Sequence, residues 1–394
     1  MTIFLARPER VGDGIRLAVK DLFDTAGLRT TYGSILFADH VPEDTAEAVA
    51  RLEAAGYANV GKTNLHEFAY GITSHNPHFG DVANPLAADR TAGGSSAGSG
   101  AALAAGLAEA SLGSDSGGSI RIPAACCGVV GFKPSRGLVP LEGCFPLAPS
   151  FDHAGPMGRD VETCARMLEA LAPGFHRADL ASLDELEIGV AWPELAEPLV
   201  RARVEAAAEL FPRRKDVAFP FPEGVGEVFM REAAESHRGL FPEHADSYGE
   251  TVRVKLEDCL AVTDAEVEAA RRQLDEYRER AAEAIEGFDL LVTPTLAFVA
   301  PPAAKDDLEI RDAVILFTYP FNALGWPALA LPCGPAEHGL PASVQLVTPA
   351  GEDARVIAAG ALLEQALAAR LRGAAGARGL PANQRSSPTR RYRR

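Results

Sequence analysis

The chain has 394 residues, 47% of them hydrophobic, enough for a large buried core in one unit or in two or three. A formal net charge of −16 argues against nucleic acid as the main partner. No apolar stretch approaches the roughly 20 residues that cross a bilayer, and Met1 to Gly12 lacks a signal-peptide layout.

In chain order, Ile15 to Val19 alternates like a short strand that ends at Lys20-Asp21. Thr45 to Ala55 repeats Ala48, Val49, Leu52 and Ala55 at helical spacing, with Asp44 as N-cap and Gly56 as stop. Ala58 to Val60 is a brief strand leading into Lys62. Ser99 to Leu112 is rich in Ala, Leu and Gly and reads as a tightly packed helix followed by a small-residue strand. Ile122 to Phe132 is an apolar buried segment, and Val161 to Leu171 is an amphipathic helix. Leu186 to Ala191 is a strand, Leu199 to Leu210 and Thr263 to Ile285 are helices, and Leu290 to Val292 is a strand ending at Thr293-Pro294-Thr295. Ala328 to Pro332 and Leu340 to Val347 are strands, and Asp353 to Arg370 closes with a helix. This alternation predicts an α/β core with a largely parallel sheet.

Two chain features set the surroundings. The six cysteines lie in apolar contexts without metal-binding spacing, which predicts buried reduced thiols and a cytoplasmic protein. Residues 374–394 carry Arg378, Arg385, Arg390, Arg391, Arg393 and Arg394 and no acid, and read as a basic, disordered tail.

The chemistry concentrates in two glycine-serine turns. Gly93-Gly94-Ser95-Ser96 and Gly117-Gly118-Ser119 place Ser95 and Ser119 24 residues apart. Either Ser95 or Ser96 could simply cap the following helix. The pairing with Arg121-Ile122-Pro123-Ala124 behind the second turn favours a catalytic role instead. Gly117-Gly118 removes two Cβ atoms and frees successive N–H groups to point at one spot, the geometry of an oxyanion hole, with Ser119 at its end.

Gly56 to Thr63 matches G-x-x-x-x-G-K-T, but a phosphate-binding loop needs a strand before its first glycine, and here a helix precedes it. Lys62 instead follows a strand in a segment with little other charge. Burial there would draw its pKa from about 10.4 towards neutrality and make it a proton acceptor. His75 and His78 are three apart with no third ligand nearby, which fits a loop at the mouth of the site better than a metal centre.

These segments closely resemble the amidase signature family, strongly over residues 14 to 172 and again at Asp289 to Pro302 and Phe321 to Val347. The resemblance implies an α/β/α sandwich around a twisted mixed sheet. The fold would span residues 1–373, with a signature core at 14–172, the rest at 173–373 and the tail outside it. It implies a cofactor-free Ser–cis-Ser–Lys triad. Ser119 takes the nucleophile position, Ser95 the cis-serine position and Lys62, in Gly61 to Phe68, the base position. The amides of Ser116, Gly117, Gly118 and Ser119 take the oxyanion-hole position. Ser96 would support the triad, and Asp115 and Arg121 would shape the loop. Lys20 is a rival lysine that looks like a structural segment of the family, and His153 resembles a family segment near the active site without a catalytic role there. The cis peptide is expected at Gly94–Ser95.

The family implies hydrolysis of the C–N bond of linear amides through an acyl-enzyme, with carbamates and esters open to the same machinery. Its members usually carry a longer helical N-terminal region; here about 14 residues precede the first strand. The glutamine-hydrolysing components of amidotransferases carry an acid just before a Phe-Thr-x-Pro segment. The matching stretch, Val314 to Pro320, has none there, and Phe317, Tyr319, Phe321 and Trp326 suggest an apolar pocket wall, which favours apolar or aryl amides, carbamates or esters over glutamine. The sequence therefore predicts a stand-alone amidase, monomer or homodimer, acting on a small-molecule amide without metal, membrane or nucleic acid. The glutamine-hydrolysing component of a tRNA-dependent amidotransferase is the alternative. A silent scaffold is a third, opposed by the presence of Lys62, Ser95 and Ser119.

Overall fold

The computed structural model describes residues 2–241 and 243–378. The strands are β1 Phe4–Ala6, β2 Ile15–Lys20, β3 Tyr57–Thr63, β4 Ala110–Asp115, β5 Val130–Lys133, β6 His153–Gly158, β7 Glu187–Val190, β8 Arg213–Asp216, β9 Leu290–Pro294, β10 Ala328–Pro335 and β11 Pro341–Val347. They form one sheet in the order β1-β3-β2-β4-β6-β5-β10-β11-β9-β7-β8. Neighbours are parallel within β3–β2–β4 and β9–β7–β8 and antiparallel elsewhere. The sheet is thus mixed rather than largely parallel. The cause is local: β5 leads to β6, and β10 to β11, without a crossover α-helix.

The helices are α1 Glu47–Ala54, α2 Ala97–Ala104, α3 Arg121–Cys127, α4 Val161–Leu171, α5 Pro198–Ala208, α6 Gly226–Ser236, α7 Glu250–Ala261, α8 Asp264–Ala284, α9 Asp307–Ile315, α10 Tyr319–Leu324 and α11 Asp353–Arg378. One contiguous set is α1, α4 and α11, another is α2 with α3, and α6 packs on α7 and α8. The sequence places α1 well but not its cap: the N-cap residue is Ala46, with no side-chain bond, rather than Asp44. Segment Tyr57–Thr63 is a strand, which removes the phosphate-loop reading of Lys62. The closing helix runs to Arg378, so the expected boundary at 373 falls inside it. Residues 379–394 of the predicted tail lie outside the described residues.

Two cores flank the sheet at β2. Leu17 and Val19 belong to the larger one. Ala18 belongs to the smaller one, with Ala97, Ala101 and Leu103 of α2 and Ala124 of α3. Alternation therefore turns Lys20, two residues beyond Ala18, towards α2. In β3, Asn59 lies opposite Leu17 and Gly61 opposite Ala18, leaving Val60 as an extra residue. This bulge reverses the alternation. Val60 packs with the α2 core, but Lys62, the partner of Val19, faces the other way.

α8 starts with a reciprocal cap. The Glu266 amide donates to Thr263 Oγ1 at 3.3 Å, and the Thr263 amide donates to Glu266 Oε2 at 2.8 Å. Thr263→Ala is expected to lower the unfolding free energy by about 1 kcal/mol in urea denaturation while leaving activity unchanged.

Candidate active site

Both glycine-serine turns lie at the head of helices beside the carboxyl ends of β2 and β4. Gly94–Ser95 is a cis peptide. Ser95 and Ser96 are fully buried and Ser119 is 5% exposed. The Ser96 amide donates to the Ser119 carbonyl at 3.2 Å, which sets the two turns side by side. Ser96 occupies the N-cap position of α2 but makes no capping bond. Its hydroxyl donates to the Ser114 carbonyl at 3.2 Å instead.

The lysine that meets Ser95 is Lys20. Its Nζ lies 2.7 Å from Ser95 Oγ and 2.8 Å from Ser114 Oγ. It is fully buried, and burial lowers its pKa to about 7 against the opposing pull of Asp115 and Asp152. Lys62 corrects the sequence expectation. It is equally buried, but its Nζ donates to Thr30 Oγ1 at 2.7 Å and to the Phe23 carbonyl, and pairs with Asp21 at 3.5 Å. Burial lowers Lys62 and raises Asp21, each charge being upheld in part by the other. The reason Lys62 does not reach Ser95 is the Val60 bulge, which puts it on the opposite face of the sheet. Strand alternation from Ala18 was the sequence signal for Lys20.

The turn at Ser119 is braced by an ion pair. Asp115 and Arg121 are both fully buried and 2.9 Å apart. Burial alone would raise the Asp115 carboxyl, but the charge and hydrogen bond of Arg121, with Lys133 and Asn322, hold it well below the usual carboxylate range. Arg121 also donates to the Thr318 carbonyl, Gln345 Oε1 and Asn322 Oδ1. Asp115 accepts the Gly118 amide at 2.8 Å. That amide is therefore turned away from the position expected of it, leaving Ser116, Gly117 and Ser119 from the predicted set. Gly118, at φ +133°, has no room for a Cβ beside Thr318 and Ile122. Thr318 Oγ1 donates to the Gly117 carbonyl at 2.6 Å. Thr318, Asn322, Gln345 and Ser114 are site residues that sequence reasoning missed: Ser114 directly precedes Asp115 and Thr318 lies in the Val314 to Pro320 stretch read for its pocket wall, while Asn322 and Gln345 lie far along the chain with no motif to mark them.

Of the four aromatic residues expected to line the pocket, Tyr319 alone borders this turn. A Cβ built on Gly117 would meet only Tyr319 within 4 Å, at 3.7 Å. Tyr319 stacks on Phe151 with centroids 5.7 Å apart. Phe317 and Phe321 are fully buried against Trp192, and Trp326 packs on Phe219, so these three belong to the core. The gain from burying large aromatic rings outweighed any place on the wall.

The histidines do not converge. His75 Nδ1 pairs with Asp81 and His78 Nε2 with Glu67, and no group of three or more metal-ligating side chains exists among the described residues. His153 Nδ1 donates to the Phe151 carbonyl at 2.7 Å, and burial keeps the ring neutral. The six cysteines are unpaired, five of them buried. No helix among the described residues is long and apolar enough to cross a membrane.

Comparisons with known proteins agree with this architecture. Residues 7–210 and 221–357 match the model of the family described as Amidase. The chain is 37% identical to a component of the glutamyl-tRNA(Gln) amidotransferase of Thermus thermophilus, over 90% of this chain and 85% of that one. It is 34% identical to AtzE, a component of the 1-carboxybiuret hydrolase of Pseudomonas sp. (strain ADP), over 91% of this chain and 85% of that one. A crystal structure of an amidase superposes with a TM-score of 0.82 at 38% identity, covering 90% of this chain and 85% of that one.

The two buried lysines are expected to respond differently to removal. Lys62→Met strands Asp21 in the core and should cost about 3–5 kcal/mol of stability. Lys20→Met removes a group whose charge burial already opposes, and should leave the melting temperature unchanged or higher. Thermal denaturation of both variants checks this.

Proposed function

The chain belongs to the amidase family, and from that footing we propose that it hydrolyses the carbon–nitrogen bond of carboxylic amides through Ser119, Ser95 and Lys20. The observation that carries the reading is the 2.7 Å contact between Lys20 Nζ and Ser95 Oγ in a site where the lysine titrates near neutrality. An ordinary lysine, near 10.4, is almost fully protonated at pH 7 and cannot act as a base.

Neutral Lys20 accepts the proton of Ser95 Oγ as Ser95 takes the proton of Ser119. Ser119 Oγ then bonds to the substrate carbonyl carbon. The amides of Ser116, Gly117 and Ser119 hold the developing negative oxygen. When the intermediate collapses, the carbon–nitrogen bond breaks and Ser95 returns the proton to the leaving nitrogen. Water repeats the sequence on the acyl-enzyme and releases the acid. Carbamates and esters pass through the same steps.

The relatives named as amidotransferase components favour a second reading, in which the substrate is glutamine and partner chains complete the enzyme. The stretch Val314 to Pro320 lacks an acid beside Phe317-Thr318 that would hold an amino group, which weighs against it. Ammonia release from glutamine by the isolated chain, compared with simple amides, separates the two.

Ser119→Ala and Lys20→Met are each expected to reduce kcat by about a thousandfold or more with the fold retained. Lys62→Met, where it folds, should retain the relay. For the wild type, kcat/KM should rise with pH through about 7, because Lys20 must lose its proton to act. A Lys20→Met enzyme with near-normal turnover, or a flat profile across that pH, contradicts the mechanism.

A further inference from the structure

The side chain of Ser116, whose amide belongs to the oxyanion set, has an anchor of its own apart from Asp115 and Arg121. β4 and β6 pair antiparallel, with Ser114 opposite Ala154 and Asp115 opposite His153. One step beyond that ladder Ser116 stands across from Asp152, and its hydroxyl donates to Asp152 Oδ1 at 2.5 Å. The chain at residues 147–152 wraps the same carboxylate. The Leu147 amide donates to Oδ2 at 2.9 Å and the Ala148 amide at 3.1 Å. Ser150, within that stretch, is tied to Glu232 of α6 through its amide and its hydroxyl. Asp152 thus joins a fixed loop to the turn that presents Ser119.

The same carboxylate faces the relay lysine. Ser114, Ser116, Cys144, Leu147 and Asp152 line one cavity of about 130 Å³. Across it, Ser114 Oγ lies 2.8 Å from Lys20 Nζ, and the Ser116 hydroxyl bonds to Asp152. The other groups around Lys20 present no unpaired charge. Asp115 of β4 is paired with Arg121 at 2.9 Å. Burial pushes the Cys144 thiol far up, so it stays neutral. Ser95 is uncharged, and on β3 Lys62 faces away and pairs with Asp21. Asp152 differs from all of these. Its partners are uncharged donors, and it forms no ion pair among the described residues. Burial and the nearby Glu232 raise its carboxyl, while the donors from Ser116, Leu147 and Ala148 favour the ionised form. Resting on the hydrolase reading above, we propose that Asp152 is a positioning residue for the reaction, which orients the Ser116 amide through the Ser116 hydroxyl and supplies the negative charge that Lys20 faces when it takes up the proton of Ser95. Without that charge, burial would oppose the ammonium more strongly.

Asp152→Asn removes the charge and keeps the size. With acetamide and benzamide as substrates, the rise of kcat/KM with pH, at about 7 in the wild type, should move down by about one pH unit. The direction follows because an ammonium without its counter-charge loses its proton more readily. On the plateau kcat should fall about tenfold. Asp152→Ser, whose hydroxyl can still accept one amide, should show the same shift and serves if the Asn variant folds poorly. Ser116→Ala leaves the charge in place on two amides. Its kcat should fall about tenfold with KM within about twofold, and its pH rise should stay where it is. Carbon NMR of the lysine Cε groups, assigned with Lys20→Met, follows Lys20 without turnover, and the Lys20 midpoint should drop in both Asp152 variants. A carboxylate that only held the loop would lower stability without moving that midpoint. An unchanged midpoint in the Asp152 variants, or full kcat in Ser116→Ala, overturns the proposal even where amides are hydrolysed. A lowered midpoint with no amide turned over by wild type supports the coupling of Asp152 to Lys20 and overturns the hydrolase reading instead.

Discussion

The buried pair Asp115–Arg121 is the contact on which the geometry of the site depends. Two opposite charges in an apolar interior are stable only when every remaining donor and acceptor is satisfied. Here that demand is met from both halves of the chain. Asp115 collects the amides of Gly118 and Ile120, while Arg121 reaches Asn322 and the Thr318 carbonyl around α10 and Gln345 on β11. The turn that presents Ser119 is thus fixed by electrostatic satisfaction across more than two hundred residues of sequence. Thr318 adds a bond to the Gly117 carbonyl and occupies the space that a side chain on Gly118 would need.

The second constraint is the burial of Lys20. A sheet end normally offers water to a lysine; here the side chains of Ser95 and Ser114 replace it on two sides. Two hydroxyls satisfy the amine without supplying a negative partner, so its charge is disfavoured. Lys62 has the same burial but a carboxylate beside it in Asp21. In the proposed mechanism, that one neighbour is what separates the lysine assigned to proton transfer from the one assigned to bracing.

Much of the site was legible from the glycine-serine turns, because glycine spacing reports backbone geometry directly. β2 and β11 were legible from apolar alternation, β9 and β10 from short continuous apolar runs, and α1, α4 and α8 from an apolar face at helical spacing. Other elements carry no such signal. β8 reads Arg213-Arg214-Lys215-Asp216, an exposed charged edge that alternation does not mark. β6, with two glycines and a proline among its six residues, lacks the usual strand formers. β1 pairs antiparallel with β3 through three residues ahead of the first strand that periodicity showed. The aromatic cluster near α10 misled in the opposite sense. Phe317, Phe321 and Trp326 look like a pocket wall in sequence, but only the fold reveals Trp192 and Phe219 arriving to cover them.

The extra residue in β3 has an electrostatic meaning. Were the pairing continued from Leu17–Asn59 without Val60 in excess, Lys20 would lie directly opposite Lys62, with two ammonium groups on one face of neighbouring strands about 4.8 Å apart. Like charges held that close in a dry interior would titrate as a coupled pair, and neither would keep a pKa of its own. The bulge sends them to opposite faces. A single inserted residue thereby separates the two buried amines, setting Lys62 beside the carboxylate of Asp21 on one face and Lys20 between two hydroxyls on the other.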